Sequence, residues 1–316
     1  MRKSLKIIAF SIFTMVMVLT IISLSFYKSD IPTEINKAQY FTENSRIIKL
    51  DRNKLHVKIS GNGPAIFLIH GSFSSLHTWK DWQNKLSKSF TVVSMDLPGH
   101  GLTGSNPQSK YDTDYYASLM FKLADKLNID NLSVAGNSMG GQVAYKMAIL
   151  APQRISNLIL LNSSGINMKA KEGYKNQKIS VFSLIKNPLI SKIIIKITPR
   201  FLLESSIKQV YYDDSKINDE KIQRYYDLLL NEGNRKATIA RLNQKIEEET
   251  NLLKEIQTPT LILWGQHDEW IPVSHAAEFH KLIPNSCIKI YANAGHIPME
   301  EIPDETVKDA LKFLSE

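Results

Sequence analysis

Three residues of this chain have the types and the order that nucleophilic catalysis needs: Ser138, Asp268 and His296. Ser138 stands in Val134-Ala135-Gly136-Asn137-Ser138-Met139-Gly140-Gly141, which reads as an apolar strand, a sharp turn and a helix from about Met139 to Leu150. A serine at the apex of so tight a turn needs neighbours almost free of side chain, because the strand and helix backbones nearly touch. Gly136 and Gly140 supply that room, and Gly141 eases the helix onto the strand. The Ser138 hydroxyl then stands above the sheet edge, at the positive end of a helix.

A serine hydroxyl is a weak nucleophile until a base takes its proton, and the base needs an orienting acid. Of the eight histidines, His296 is placed for this work. It lies in Ala294-Gly295-His296-Ile297-Pro298, after a strand ending at Tyr291 and before the last helix. Asp268, in Leu263-Trp264-Gly265-Gln266-His267-Asp268, ends the preceding strand, with Glu269 as the alternative acid. The tetrahedral intermediate of acyl transfer also needs two N–H donors for its oxyanion. The N–H of Met139 is one. The loop His70-Gly71-Ser72-Phe73 supplies the other, Ser72 N–H first and Phe73 N–H as the alternative. His70 is expected to pack and hydrogen-bond so as to hold that loop. Nothing in this chemistry calls for a cofactor or a metal. The single Cys287 excludes an intramolecular disulfide and reads as a small buried hydrophobe.

The elements that must position these groups alternate. Arg46–Leu50 and Leu55–Ile59, joined by Asp51-Arg52-Asn53, read as an antiparallel hairpin. Ala65–Ile69 is a continuous apolar run, as a strand buried on both faces should be. A helix over Trp79–Leu86, a strand over Phe90–Met95, a helix over Tyr115–Leu127, the elbow and a strand over Ile155–Leu161 follow. Residues 165–250 break the rhythm with a helical pattern interrupted by Pro188 and Pro199; it resumes with Thr260–Leu263, Val273–Leu282, Cys287–Tyr291 and Asp304–Leu314. The expected fold is α/β, a mostly parallel, doubly wound sheet with a helical cap inserted after the sixth strand. The core is then 45–164 and 251–316, and the cap 165–250.

Residues 7–26 carry no charge. About twenty helical residues span roughly 30 Å, so the run reads as a transmembrane signal anchor (1–27), with cleavable signal peptide as the alternative. Arg2, Lys3 and Lys6 precede it, which places the catalytic domain on the periplasmic or extracellular side, beyond a polar tether at 28–44. The net charge of +8 is concentrated rather than general: Lys169, Lys171, Lys175, Lys178, Lys186, Lys192, Lys196 and Arg200 face one acid, Glu172. These bases alternate with aliphatic residues, a composition suited to an anionic lipid surface and not to nucleic acid.

His70-Gly71, Asp96-Leu97-Pro98-Gly99-His100-Gly101, the elbow, Trp264-Gly265-x-x-Asp268 and Gly295-His296 occur in the order found in the α/β-hydrolase fold, which the chain resembles from about residue 45 onward. The resemblance implies a Ser138–His296–Asp268 triad, and structural rather than catalytic roles for Asp96 and His100. A serine nucleophile argues against epoxide hydrolases and haloalkane dehalogenases. The elbow also resembles that of carbon–carbon hydrolases acting on ring-fission products, but their Gly-rich loop is replaced by Ser72-Phe73-Ser74-Ser75. Hydrolysis of a small-molecule or lipid ester is the leading expectation, with the carbon–carbon hydrolase and a non-catalytic receptor as alternatives.

Overall fold

The computed structural model describes residues 2–166, 191, 195–244 and 250–316, the side chains of 2–5, 19, 22 and 23 excepted. Its centre is an eight-stranded sheet of order β1-β2-β4-β3-β5-β6-β7-β8. β1 (Ser45–Leu50) and β2 (Asn53–Ser60) form the expected hairpin, with Leu50 opposite Asn53. Asp51 and Arg52 both take positive φ, 47° and 65°, the turn whose twist matches that of the two strands. β2 pairs antiparallel with β4 (Thr91–Met95); every pairing from there through β3 (Ala65–Ile69), β5 (Leu132–Asn137), β6 (Ile155–Leu161), β7 (Thr260–Gly265) and β8 (Ser286–Tyr291) is parallel.

Alternation along each strand divides the core between the two faces. Phe67, Val93, Val134 and Ile262 point to one side, where α4 (Thr113–Lys126), α5 (Met139–Leu150) and α9 (Ser274–Leu282) cover them. Ile66, Leu68, Val92, Ala135 and Leu263 point to the other, toward Trp79, Trp82, Met299 and Val307. On that side Trp82 Nε1 donates to Thr306 Oγ1 at 2.9 Å, tying α3 (Lys80–Leu86) to α11 (Pro303–Leu314). The strand order reverses between β3 and β5, and the crevice beyond their carboxyl ends is where an open α/β sheet receives ligands.

Between β6 and β7 the described residues form α6 (Arg200–Lys208), α7 (Asp219–Leu229) and α8 (Asn234–Leu242). Most of the basic stretch 169–200, and of the apolar run 179–197, lies outside the described residues.

Three expectations need correction. Residues 28–44 are not a bare tether. They contain α2 (Thr33–Tyr40), fastened to α7 and the residues after it: Asn36 Nδ2 donates to Asp227 O at 3.0 Å, Tyr40 OH to Asp227 Oδ2 at 2.7 Å, and Ile31 N to Leu230 O at 2.8 Å. Asp30 accepts from Arg235. These bonds join polar residues far apart in sequence, so no periodicity announces them. Cys287 is exposed, because β8 is an edge strand whose side chains alternate toward solvent. Finally, α1 (Arg2–Ser25) forms, but among the described residues no helix is long and apolar enough to cross a membrane, so the expected span is not borne out. The helix carries apolar side chains into solvent, with Ile7 66%, Phe10 71% and Leu24 70% exposed.

Candidate active site

The elbow is as strained as its sequence requires. Ser138 has φ 54° and ψ −120°, a conformation that side-chain-bearing residues rarely hold. Its backbone is over-determined: Ser138 N donates to Leu161 O at 3.1 Å, while Ser138 O accepts from Gly141 N and Ser164 N, both at 3.0 Å. A Cβ on Gly136 would sit 2.1 Å from Gly140 O, and one on Gly140 would sit 2.1 Å from Ile69 O. The glycines are there because α5 lies directly on the ends of β5 and β3.

His296 Nδ1 lies 2.8 Å from Asp268 Oδ2, with both side chains buried. A carboxylate can only accept, so Nδ1 carries the proton and Nε2 is left as the acceptor. Asp268 is saturated by donors: Oδ2 also accepts from Asn162 Nδ2 at 2.7 Å, and Oδ1 from Trp270 N and Ile271 N, each at 2.8 Å. Glu269, the alternative acid, is exposed.

Ser138 and His296 line one cavity with Gly71, Ser72, Phe73 and Trp270. Ser72 Oγ is 3.6 Å from Met139 Sδ, so the loop after β3 touches the first residue of α5. Phe73 takes φ 59°, a second strained residue on the rim of the same cavity. His70 lies beneath the loop: Nδ1 donates to Gly71 O at 2.7 Å and Nε2 accepts from Leu97 N at 3.0 Å. That pattern needs a neutral ring, and burial lowers the pKa of His70 accordingly. Asp96 is likewise spent on structure, accepting from Leu76 N and Leu102 N at 2.8 Å and lying 2.7 Å from His56 Nδ1. The buried His100 packs edge-on against His70, ring centroids 5.0 Å apart.

Sequence reasoning missed the residues that hold the histidine loop. Asn162, at the end of β6 with φ 43°, bonds to Asp268 and reaches Gly295 O at 3.3 Å. Asn137, inside the elbow, donates to His296 O at 3.0 Å. Glu301 Oε2 accepts from Gly295 N at 2.7 Å, and its Oε1 from Tyr212 N and Asp213 N at 2.8 Å. His296 N itself donates to Val210 O at 2.8 Å, beyond α6. The one available signal was Asn162 itself, since asparagine at a strand end tolerates positive φ.

The family model for the alpha/beta hydrolase fold matches residues 64–303. The chain belongs to that family. Among curated relatives it is 28% identical over 297 residues to the 2-hydroxy-6-oxo-6-(2'-aminophenyl)hexa-2,4-dienoic acid hydrolase of Metapseudomonas resinovorans, covering 89% of this chain and 96% of that protein. Among solved structures, a membrane phospholipase A described as a bacterial virulence factor superposes with a TM-score of 0.74 at 22% identity, covering 100% of this chain and 98% of the other. An esterase from Thermogutta terrifontis gives a TM-score of 0.71 at 21% identity, covering 86% and 97%. At these identities the two structures establish the alpha/beta hydrolase fold.

Proposed function

We propose that this hydrolase cleaves carboxylic esters through an acyl-enzyme, with Ser138 as nucleophile, His296 as base and Asp268 as its orienting acid. Ser138 Oγ attacks the ester carbonyl carbon as His296 Nε2 takes its proton. The carbonyl oxygen becomes an oxyanion facing the N–H groups of Met139 and Ser72. His296 then protonates the departing alkoxide, deprotonates a water that attacks the acyl-enzyme, and returns the proton to Ser138 as the acid leaves.

The observation that carries the ester reading is the cavity above Ser138. It opens to solvent and extends from His296 to an aliphatic wall of Ile195, Ile197, Leu202, Leu203, Ile207 and Val210. Arg235, a cation on that wall, is held by Asp30, the Lys28 carbonyl and Thr198 Oγ1. Such a lining suits an acyl chain better than the charged groups of a diketo acid, which favours an ester over the substrate named for the Metapseudomonas relative. A phospholipase and an esterase stand among the solved structures that share its fold, in keeping with that choice.

The residues that follow the N-terminal helix reach the same wall. Tyr27 pairs with Ile197, and the rings of Phe26 and Phe201 lie 5.8 Å apart. We propose that exposed α1 seats the enzyme in lipid, bringing the cavity wall to the surface from which acyl chains come. Vesicle flotation of the full chain tests this; recovery of the protein in the aqueous fraction would sink it.

Esters of increasing acyl length test the reaction. Each methylene moved from water into the cavity contributes about 0.8 kcal/mol, so kcat/KM should rise about fourfold per carbon until the wall is reached. A vinylogous diketo acid assayed alongside should turn over far more slowly. A flat acyl-length profile with faster cleavage of the diketo acid would make the carbon–carbon hydrolase the better reading.

A further inference from the structure

A second cavity, open to solvent, lies behind the loop that follows β3 and shares no lining residue with the first. Lys58 of β2, Lys80 of α3 and Arg224 of α7 face it from three separate elements. None of these side chains has a hydrogen-bond or ion-pair partner among the described residues, and Arg224 Nε is sealed from solvent without one. Of the acids that line the cavity, two are engaged, and the third, Glu220, stands one helical turn before Arg224. Asp96 is saturated by Leu76, Leu102 and His56; Asp219 pairs with Arg200; Glu220 is exposed. Burial, and then the like charge of Lys80, lower the pKa of Lys58, with Glu43 acting the other way.

His77 stands on the same wall. Its Nδ1 lies 2.6 Å from Ser75 Oγ, while Nε2 is buried with no partner among the described residues. Burial holds the ring neutral, pushing its pKa well down. Whichever of the Ser75 hydroxyl and Nδ1 donates, the bond fixes the ring against the loop.

Three cationic side chains from separate elements that line one cavity repel one another, a cost that a bound anion would offset. We propose that this cavity is a binding site for a phosphate group, borne by a small phosphate ester or by a lipid headgroup. A tetrahedral dianion can take the Arg224 fork and the two ammonium groups together. A planar carboxylate satisfies little beyond the fork. The site stands one side chain from the catalytic cavity: the His77 ring lies 4.5 Å from that of Tyr225, which lines the other space. Ser75 to His77 continue the loop whose earlier residues meet Ser138, so an anion here restrains that loop from behind.

Calorimetric titration of the full-length Ser138→Ala chain tests the proposal, since no ester is then consumed through Ser138. The ligands are inorganic phosphate, glycerol 3-phosphate and a water-soluble dibutyryl phosphatidic acid, at ionic strength fixed with sodium chloride. Saturable binding is expected, weakened about tenfold by adding Arg224→Gln or Lys58→Gln. Equal affinity for all three ligands assigns the site to free phosphate groups; saturation by the phosphatidic acid alone assigns it to a lipid headgroup. No saturable binding of any ligand, or binding unchanged in both variants, overturns the proposal. Should Arg224→Gln melt before it can be titrated, the half-buried Lys58→Gln carries the test.

Discussion

Replacing Ser138 with alanine should lower kcat for every ester substrate by about 10⁶-fold while leaving the melting temperature nearly unchanged. Activity falls because the attacking atom is gone. Stability holds because the serine side chain makes no capping bond to α5, while the backbone bonds to Leu161, Gly141 and Ser164 survive. The strained φ of 54° is set by those bonds, and alanine tolerates it about as well as serine does. The aliphatic wall is untouched too, so the variant should still bind long-chain esters with wild-type affinity. A steady-state assay paired with a melting curve checks both halves. Persistent turnover would mean that His296 activates water directly, and the acyl-enzyme path would fall. Absence of turnover from the wild-type chain with any ester would leave the diketo acid and receptor readings ahead.

The elbow could be read from sequence because its geometry has almost no alternative. At Gly136 and Gly140 a Cβ would collide with backbone, which no side-chain rearrangement relieves. The hairpin turn at Asp51-Arg52 and the buried runs of β3 and β7 are equally local statements about periodicity and turn chemistry. What escaped is everything decided by long-range polar contact. Asn162 reads as one loop asparagine among small residues, and only the approach of β7 and the histidine loop makes it a partner of Asp268. Glu301 lies just after His296 in sequence, yet two of its three bonds go to Tyr212 and Asp213. The segment before β1 failed for the same reason: Asn36 and Tyr40 are polar residues on a short helix, satisfied by Asp227 on the far side of the sequence.

Asp268→Asn should reduce kcat about 10⁴-fold, and it should also cost stability, which Ser138→Ala does not. All four groups facing Asp268 are donors: Asn162 Nδ2, the protonated Nδ1 of His296, and the N–H groups of Trp270 and Ile271. An amide offers one acceptor oxygen and one NH₂. If the oxygen keeps the two backbone N–H groups, the NH₂ faces Asn162 and turns His296 to the tautomer with its proton on Nε2. That ring can no longer accept the proton of Ser138. If the amide flips, the NH₂ faces two backbone N–H groups and leaves them unsatisfied in a buried site, at about 1–3 kcal/mol each. Either way activity falls, and the loss should be smaller at high pH, where hydroxide can replace the missing base. Asn162→Ala separates positioning from chemistry. It removes one of Asp268's four donors and the brace on Gly295, but leaves His296 its acceptor, so kcat should drop only about 10- to 100-fold, with KM little changed. Measured pH–rate profiles for the two variants decide the matter. If Asn162→Ala proves as damaging as Asp268→Asn with an unshifted profile, Asp268 is a structural carboxylate, and the base at His296 is oriented by the loop alone.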